Sequence, residues 1–270
     1  MAHHLDGVQA KLDRAFEHGY ALRDEIAALP KDEFYNTRQP PHPKRGKNGV
    51  MWVDGYVEVL KQPPLKLGVL AGDCAHNLRG CLDHLIYQLA LLDTGGKAPR
   101  DTCFPVARSE GEYLGIPSGE TRSLRDRALA GVSEEHRALV DAEQPYVGRP
   151  RRLADKHPLA VLNAFSNTDK HRLVSPTYLL PAHVKVTPIG GTFDVIIQPD
   201  TSTRLISNNA HVYSVGLSNI EPDVGMEEVR MVVDFTFSFA FGNRGLTDGD
   251  FLNLCAFVRD LIDRFRPHFI

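Results

Sequence analysis

The sequence predicts an α+β protein in which an N-terminal helical bundle with an inserted β-hairpin precedes an antiparallel sheet with a C-terminal amphipathic helix. Three observations predict it. Apolar residues recur at helical spacing through most of the first 178 positions. From about Leu179 the pattern changes to period two, written in β-branched and aromatic residues, and over 248–265 it returns to helical spacing. The chain divides accordingly into 1–178, helical with a hairpin near 50–60, and 179–270, sheet plus helix, with one continuous domain as the alternative.

The first helix is read over 5–29. Leu5, Val8, Leu12, Ala15, Phe16, Leu22, Ile26 and Leu29 fall at helical spacing, and Pro30 ends the run. Its obvious partner is 70–92, LAGDCAHNLRGCLDHLIYQLALL. Between the two, the loop QPPHPKRGKNG leads into Met51-Trp52-Val53 and Tyr56-Val57-Glu58-Val59, which flank Asp54-Gly55 in the manner of a two-residue hairpin turn. The loop DTGGKAPRD precedes a short extended piece, Cys103-Phe104-Pro105-Val106. Helices follow near 123–130 and 133–143, the second with Ser133 as N-cap and Glu134 and Glu135 in its first turn; Gln144-Pro145-Tyr146 closes it. A helix over 155–165 takes Asp155 as cap, tolerates Pro158 in its first turn and runs into Asn167-Thr168-Asp169-Lys170-His171-Arg172. Strands are expected at 183–188, 192–198, 211–217 and 229–241, separated by Gly, Asn, Asp and Pro. In the last helix Phe251, Leu254, Cys255, Val258, Leu261, Ile262 and Phe265 share one side, which should cover one face of the sheet.

Composition narrows the function classes. The 270 residues are 42% hydrophobic and 24% charged, and the net charge of -3 argues against coating a polyanion by bulk charge, so any nucleic-acid contact must be local. Cys74, Cys81, Cys103 and Cys255 include no CxxC pair, which suggests neither a zinc ribbon nor a disulfide framework; Cys74 and Cys81 lie on the apolar side of their helix as packing residues. The start lacks a basic and then apolar leader, and no stretch reaches the roughly 18 apolar residues of a membrane span, so the expected location is the cytoplasm. No GxGxxG after a strand, P-loop, GxSxG or HExxH is present, and no cofactor is implied.

Chemistry concentrates on 70–92. Leu78, Leu82, Leu85 and Leu89 form one stripe, while Asp73, His76, Asn77, Asp83, His84 and Tyr87 fall opposite, with Arg79 at the edge. A solvated face is usually written in Lys and Glu; this one uses residues that lower helix propensity or titrate near neutrality, as the wall of a site would. The bland account is a surface ion pair between Arg79 and Asp83 at i,i+4 and another between Asp73 and His76 at i,i+3. A metal site is a further option, with Asp73, His76 and His84 joined by Asp169 or His171. His76 and His84 are about 80° apart around the axis, so another segment would have to help.

Arg79-Gly80-Cys81-Leu82-Asp83-His84 is an Arg, four residues and a His, and here the chain resembles the HEPN superfamily, whose ribonuclease members carry an Arg-x4-6-His signature on one helix of a small bundle. The family commonly has a polar residue directly after the Arg, where this chain has Gly80. The resemblance implies metal-independent RNA cleavage or RNA or nucleotide binding in a toxin-like or defence-like setting, by a homodimer in which two copies of the helix meet. In it His84 is the general acid or base and Arg79 holds the phosphate. The blocks GDCAHNLRGCLDHLIYQL, FP, QPY, HPLAVLN and NTDKHR, in this order over roughly 65–175, also resemble an uncharacterised, mostly actinobacterial family that brings no activity with it.

That arrangement pairs two polar blocks. Asn167, Asp169, Lys170, His171 and Arg172 would face 70–92 and form a cationic rim, so that Asp73, His76, Asn77, Asp83, Asp169, Lys170, His171 and Arg172 contact the substrate around Arg79 and His84. Alternatively Lys170, His171 and Arg172 complement the end of their helix, an effect of about 0.3–1 kcal/mol. Trp52 and Tyr56, beside Pro40-Pro41-His42-Pro43-Lys44-Arg45, would make a basic, base-stacking surface unless the aromatics pack into a core. The rival functions are a non-catalytic module binding a protein or small ligand through the polar helix face, and a metal-dependent hydrolase.

Overall fold

The computed structural model describes residues 4–38, 44–46, 49–97, 99–169, 176–178, 184–189, 194–199, 209–219, 230–235, 239–242 and 245–269. The protein is α+β, with helices α1 (Asp6–Ala28), α2 (Lys31–Phe34), α3 (Leu65–Asp93), α4 (Glu110–Leu114), α5 (Leu124–Ala128), α6 (Glu134–Ala142), α7 (Arg151–Ala154), α8 (Pro158–Asp169) and α9 (Asp248–Phe265). The strands are β1 (Tyr35–Arg38), β2 (Lys44–Arg45), β3 (Met51–Val59), β4 (Pro176–Tyr178), β5 (Val184–Ile189), β6 (Asp194–Pro199), β7 (Ala210–Ser218), β8 (Arg230–Phe235) and β9 (Phe239–Phe241). Two compact units result: Met1–Glu25 with Lys66–Val174 and Asp248–Ile270, and Ile26–Leu65 with Ser175–Thr247. Among the described residues no helix is long and apolar enough to cross a membrane.

The first unit is built around α3. Its stripe of Leu78, Leu82, Leu85 and Leu89 is fully buried, and so are Cys74 and Cys81, because Ala71, Ala75, Ile86 and Ala90 widen the apolar surface to most of the circumference. A helix buried that widely needs partners on more than one side. From α1 come Val8, Leu12, Ala15 and Leu22, and the Cys81 thiol donates to the Val8 carbonyl at 3.2 Å. From α9 comes Cys255, whose sulfur lies 3.7 Å from that of Cys74. Leu252 crosses Gly19 of α1 so closely that a Cβ there would sit 2.9 Å from it. Phe251 meets Phe165 of α8 edge-on at 5.0 Å, and Phe257 meets His157 likewise at 5.5 Å. The C-terminal helix therefore packs within the helical unit, where the sequence reading assigns it to the sheet. An amphipathic stripe reports that a helix is buried on one side and not which surface it meets.

Helix boundaries differ from expectation, and α8 runs on to Asp169, taking in Asn167 and Thr168, where the expected helix ended at Phe165. The third element begins at Leu65 rather than 70, and α8 starts at Pro158 rather than at Asp155, which ends α7 with its N–H bonded to the Arg151 and Leu153 carbonyls. Proline suits that first helical position because its missing N–H needs no partner there. Ser133 does cap α6, accepting from the His136 N–H at 3.4 Å.

In the second unit an antiparallel sheet runs β1-β3-β7-β6, with β2 also on β3, and two further pairs form from β4 with β9 and from β5 with β8. The hairpin expected at Asp54-Gly55 is absent: β3 runs straight through and pairs with β7, Asp54 opposite Ser214 and Gly55 opposite Tyr213, with a register shift between Gly55 and Tyr56. Gly55 is required here for space. The fully buried Tyr213 ring occupies the place of its side chain, since a Cβ would lie 2.1 Å from the ring carbon Cζ. Val53 and Val57 point inward with that tyrosine, and Trp52, Asp54 and Tyr56 alternate onto the half-exposed outer face.

Candidate functional site

Arg79 and Asp83 form the i,i+4 pair at 2.8 Å, and the pair is structural. The same guanidinium nitrogen donates to the Phe104 carbonyl, while the Phe104 N–H donates to the same Asp83 oxygen at 2.9 Å. Arg79 and Asp83 together clamp the backbone on both sides of the fully buried Phe104 ring, with side chains 13% and 35% exposed. The neighbouring loop is fixed the same way: buried Gln144 accepts from Ala107 N–H and donates to the Pro105 and Val140 carbonyls.

His84 lies one residue on and is exposed. Its ring rests against the first turn of α1, where a Cβ on Gly7 would be 3.7 Å from Nδ1. Lys11, a turn further along α1, crosses Gly80 so closely that a Cβ there would lie 3.3 Å from its ammonium nitrogen. The glycine after Arg79 thus makes room for a lysine. Partial burial and the Lys11 charge lower the His84 pKa, against the opposing pull of Asp83.

The remaining candidates spread along α3. Asp73 and His76 are exposed, and the Asn77 amide donates to the Asp73 carbonyl at 2.8 Å, a local contact within the helix. Asp169, the last residue of α8, reaches α3: its carboxylate fills the space over Gly72, where a Cβ would lie 2.6 Å from Oδ2. Lys170, His171 and Arg172 lie outside the described residues. Twelve residues, about 18 Å of helix, separate Gly72 from His84, so Asp73 with Asp169 and Arg79 with His84 are two places. Among the described residues no three His, Cys, Asp or Glu side chains are grouped to hold a metal ion; in particular Asp73, His76 and His84 are not brought together.

Other polar clusters join residues distant in sequence. Asp93, at the end of α3, accepts from the Ser133 N–H at 2.7 Å and holds His136 Nδ1 at 2.8 Å, tying α6 to α3. Burial alone would raise the Asp93 pKa; the bonds from Ser133 and His136 outweigh it and keep the carboxyl below its usual range. On the outer face of the sheet, Lys44 Nζ donates to Asp54 Oδ2 at 2.6 Å, Ser214 Oγ donates to Asp54 Oδ1 at 2.8 Å, and His211 Nε2 lies 3.0 Å from Ser214 Oγ. Asp54 and Ser214 are 160 positions apart, and no local spacing signals them.

Comparison with family models, with curated proteins and with solved structures returned no match.

Proposed function

We propose that the chain binds RNA or a nucleotide through the polar face of α3, with His84 and Lys11 as its phosphate contacts. One observation carries this reading: the exposed His84 imidazole stands against the first turn of the 23-residue α1, with Lys11 beside it. The dipole-positive end of a helix, an ammonium and an imidazole at one place favour an anion, against the charge of Asp6 in the same turn. Arg79, given the phosphate by the resemblance, is committed to Asp83 and the Phe104 carbonyl, and in this reading Lys11 takes over its charge.

Anisotropy of a labelled RNA tests it. Binding should weaken in His84→Ala and in Lys11→Ala and fall with added salt, while Arg79→Ala should chiefly lower the unfolding midpoint. Unchanged affinity in Lys11→Ala overturns the reading.

Metal-independent cleavage is a second reading, favoured by the lowered pKa of His84, since a neutral imidazole is able to take the proton of a 2′-hydroxyl. It calls for a second copy of α3 to complete the constellation. Cleavage that persists in EDTA and vanishes in His84→Ala would support it; an inert protein that still binds RNA would dismiss it.

A further inference from the structure

The outer face of the five-stranded sheet is the most distinctive surface left without a task. It presents Trp52 and Tyr56 from β3, both half-exposed and on the same side of the strand as Asp54. Trp52 lies across glycines on both neighbouring strands: a Cβ on Gly216 of β7 would be 3.0 Å from its Cη2, and one on Gly46, just past β2, 2.7 Å from its Nε1. With no side chain between them, the indole lies close against backbone. Tyr56 stands against the His211 ring at 5.6 Å and 71°, an edge contact that fixes its orientation. The two aromatic stations are four residues, about 13 Å, apart along the strand, so covering both takes two planar groups.

Charge around this face is local and basic on one side. β2 sets Lys44 opposite Trp52, on the same face. Arg38 is exposed opposite Tyr56. Asp54, between the aromatics, has its charge compensated by Lys44, whose side chain is 70% exposed and available to a second anion. Glu58, opposite Asn36 of β1, and exposed Asp194 of β6, opposite Ser218 of β7, are acids that bound the patch on either side.

We infer that this face binds single-stranded RNA, stacking separate bases on Trp52 and Tyr56 while Lys44 and Arg38 meet the phosphates. A single strand is the fitting occupant because its bases expose their faces, which a duplex hides, and because stacking on aromatics with cations alongside is how sheets hold such strands. The surface belongs to the other unit from α3 and the inference does not need His84.

Trp52 is the only tryptophan in the chain, so its emission reads this surface alone. Titration with an oligouridylate of about 12 nucleotides should quench it saturably, and affinity should fall as salt rises. Tyr56→Ala should weaken binding by roughly 10-fold or more, with Tyr56→Phe restoring it, which separates lost stacking from misfolding. Lys44→Gln should flatten the logarithmic salt slope by about 0.7. Equal quenching by a duplex of the same length overturns the inference, as does a Tyr56→Ala protein that folds and binds like the wild type. Reading the anisotropy of labelled RNA in parallel separates the two proposals: binding without quenching defeats this one alone, and quenching with total affinity insensitive to His84→Ala and Lys11→Ala defeats the α3 reading alone.

Discussion

Asp83 shows how a residue that looks catalytic by position can be structural by contact. Its Oδ1 holds both the Arg79 guanidinium and the N–H of Phe104, a residue with no exposure. Asp83→Ala would strand a buried donor, a loss of about 1–3 kcal/mol. Asp83→Asn keeps an acceptor for that N–H and should lose less, and urea denaturation of the two variants checks the order. His157 gives a pH signature. It is 7% exposed, its Nδ1 accepts the Leu159 N–H at 3.3 Å, and burial together with the Arg149 charge lowers its pKa from 6.5 to about 4. Protonation would put a hydrogen where that bond is accepted. The unfolded chain thus takes up the proton first, so this contribution to stability is fully present above about 6.5 and is lost as pH falls towards 4. In His157→Gln, which keeps an acceptor without a charge, the unfolding midpoint should vary less across that window.

At the scale of elements, period and capping were readable because both are local. The stripes of α1, α3 and α9, the Ser133 cap and the alternation in β5, β6 and β7 each involve residues a few positions apart. The Arg79–Asp83 pair was legible for the same reason, whereas its third member, Phe104, lies 21 residues beyond Asp83 and Lys11 lies on another helix. Asp54-Gly55 misled because Gly next to Asp signals a turn, and a glycine needed for the space of a partner's ring has the same letter. The distinction is testable. If Gly55 sat in a turn, Gly55→Ala would strain only a local backbone. In a straight β3 beneath Tyr213, where a Cβ would overlap the ring at 2.1 Å, overpacking should destabilise the sheet by about 3 kcal/mol. Tyr213→Ala in the same chain should recover part of that loss, by making room, and a double-mutant cycle in urea measures the coupling.

For the whole molecule, the chain order and the packing order differ: the helical unit uses three separate stretches, and the sheet unit fills the two intervals between them. Reading linearly, a C-terminal helix after strands belongs with the strands, and cutting it off should uncover a sheet while leaving the helices folded. The contacts of α9 say otherwise, since Leu252 lies on α1, Cys255 on α3 and Phe251 on α8. Fully burying a large apolar side chain contributes about 1.5–3 kcal/mol, and Phe251, Leu254, Val258, Leu261, Ile262 and Phe265 are all buried. Their sum is comparable with the roughly 5–15 kcal/mol that holds a domain together. A chain ending at Thr247 should therefore lose far more helical circular dichroism than α9 itself accounts for, and α1 and α3 amides should lose hydrogen-exchange protection. Retention of protection in α3 with a loss confined to β3 and β7 would mean that α9 serves the sheet after all.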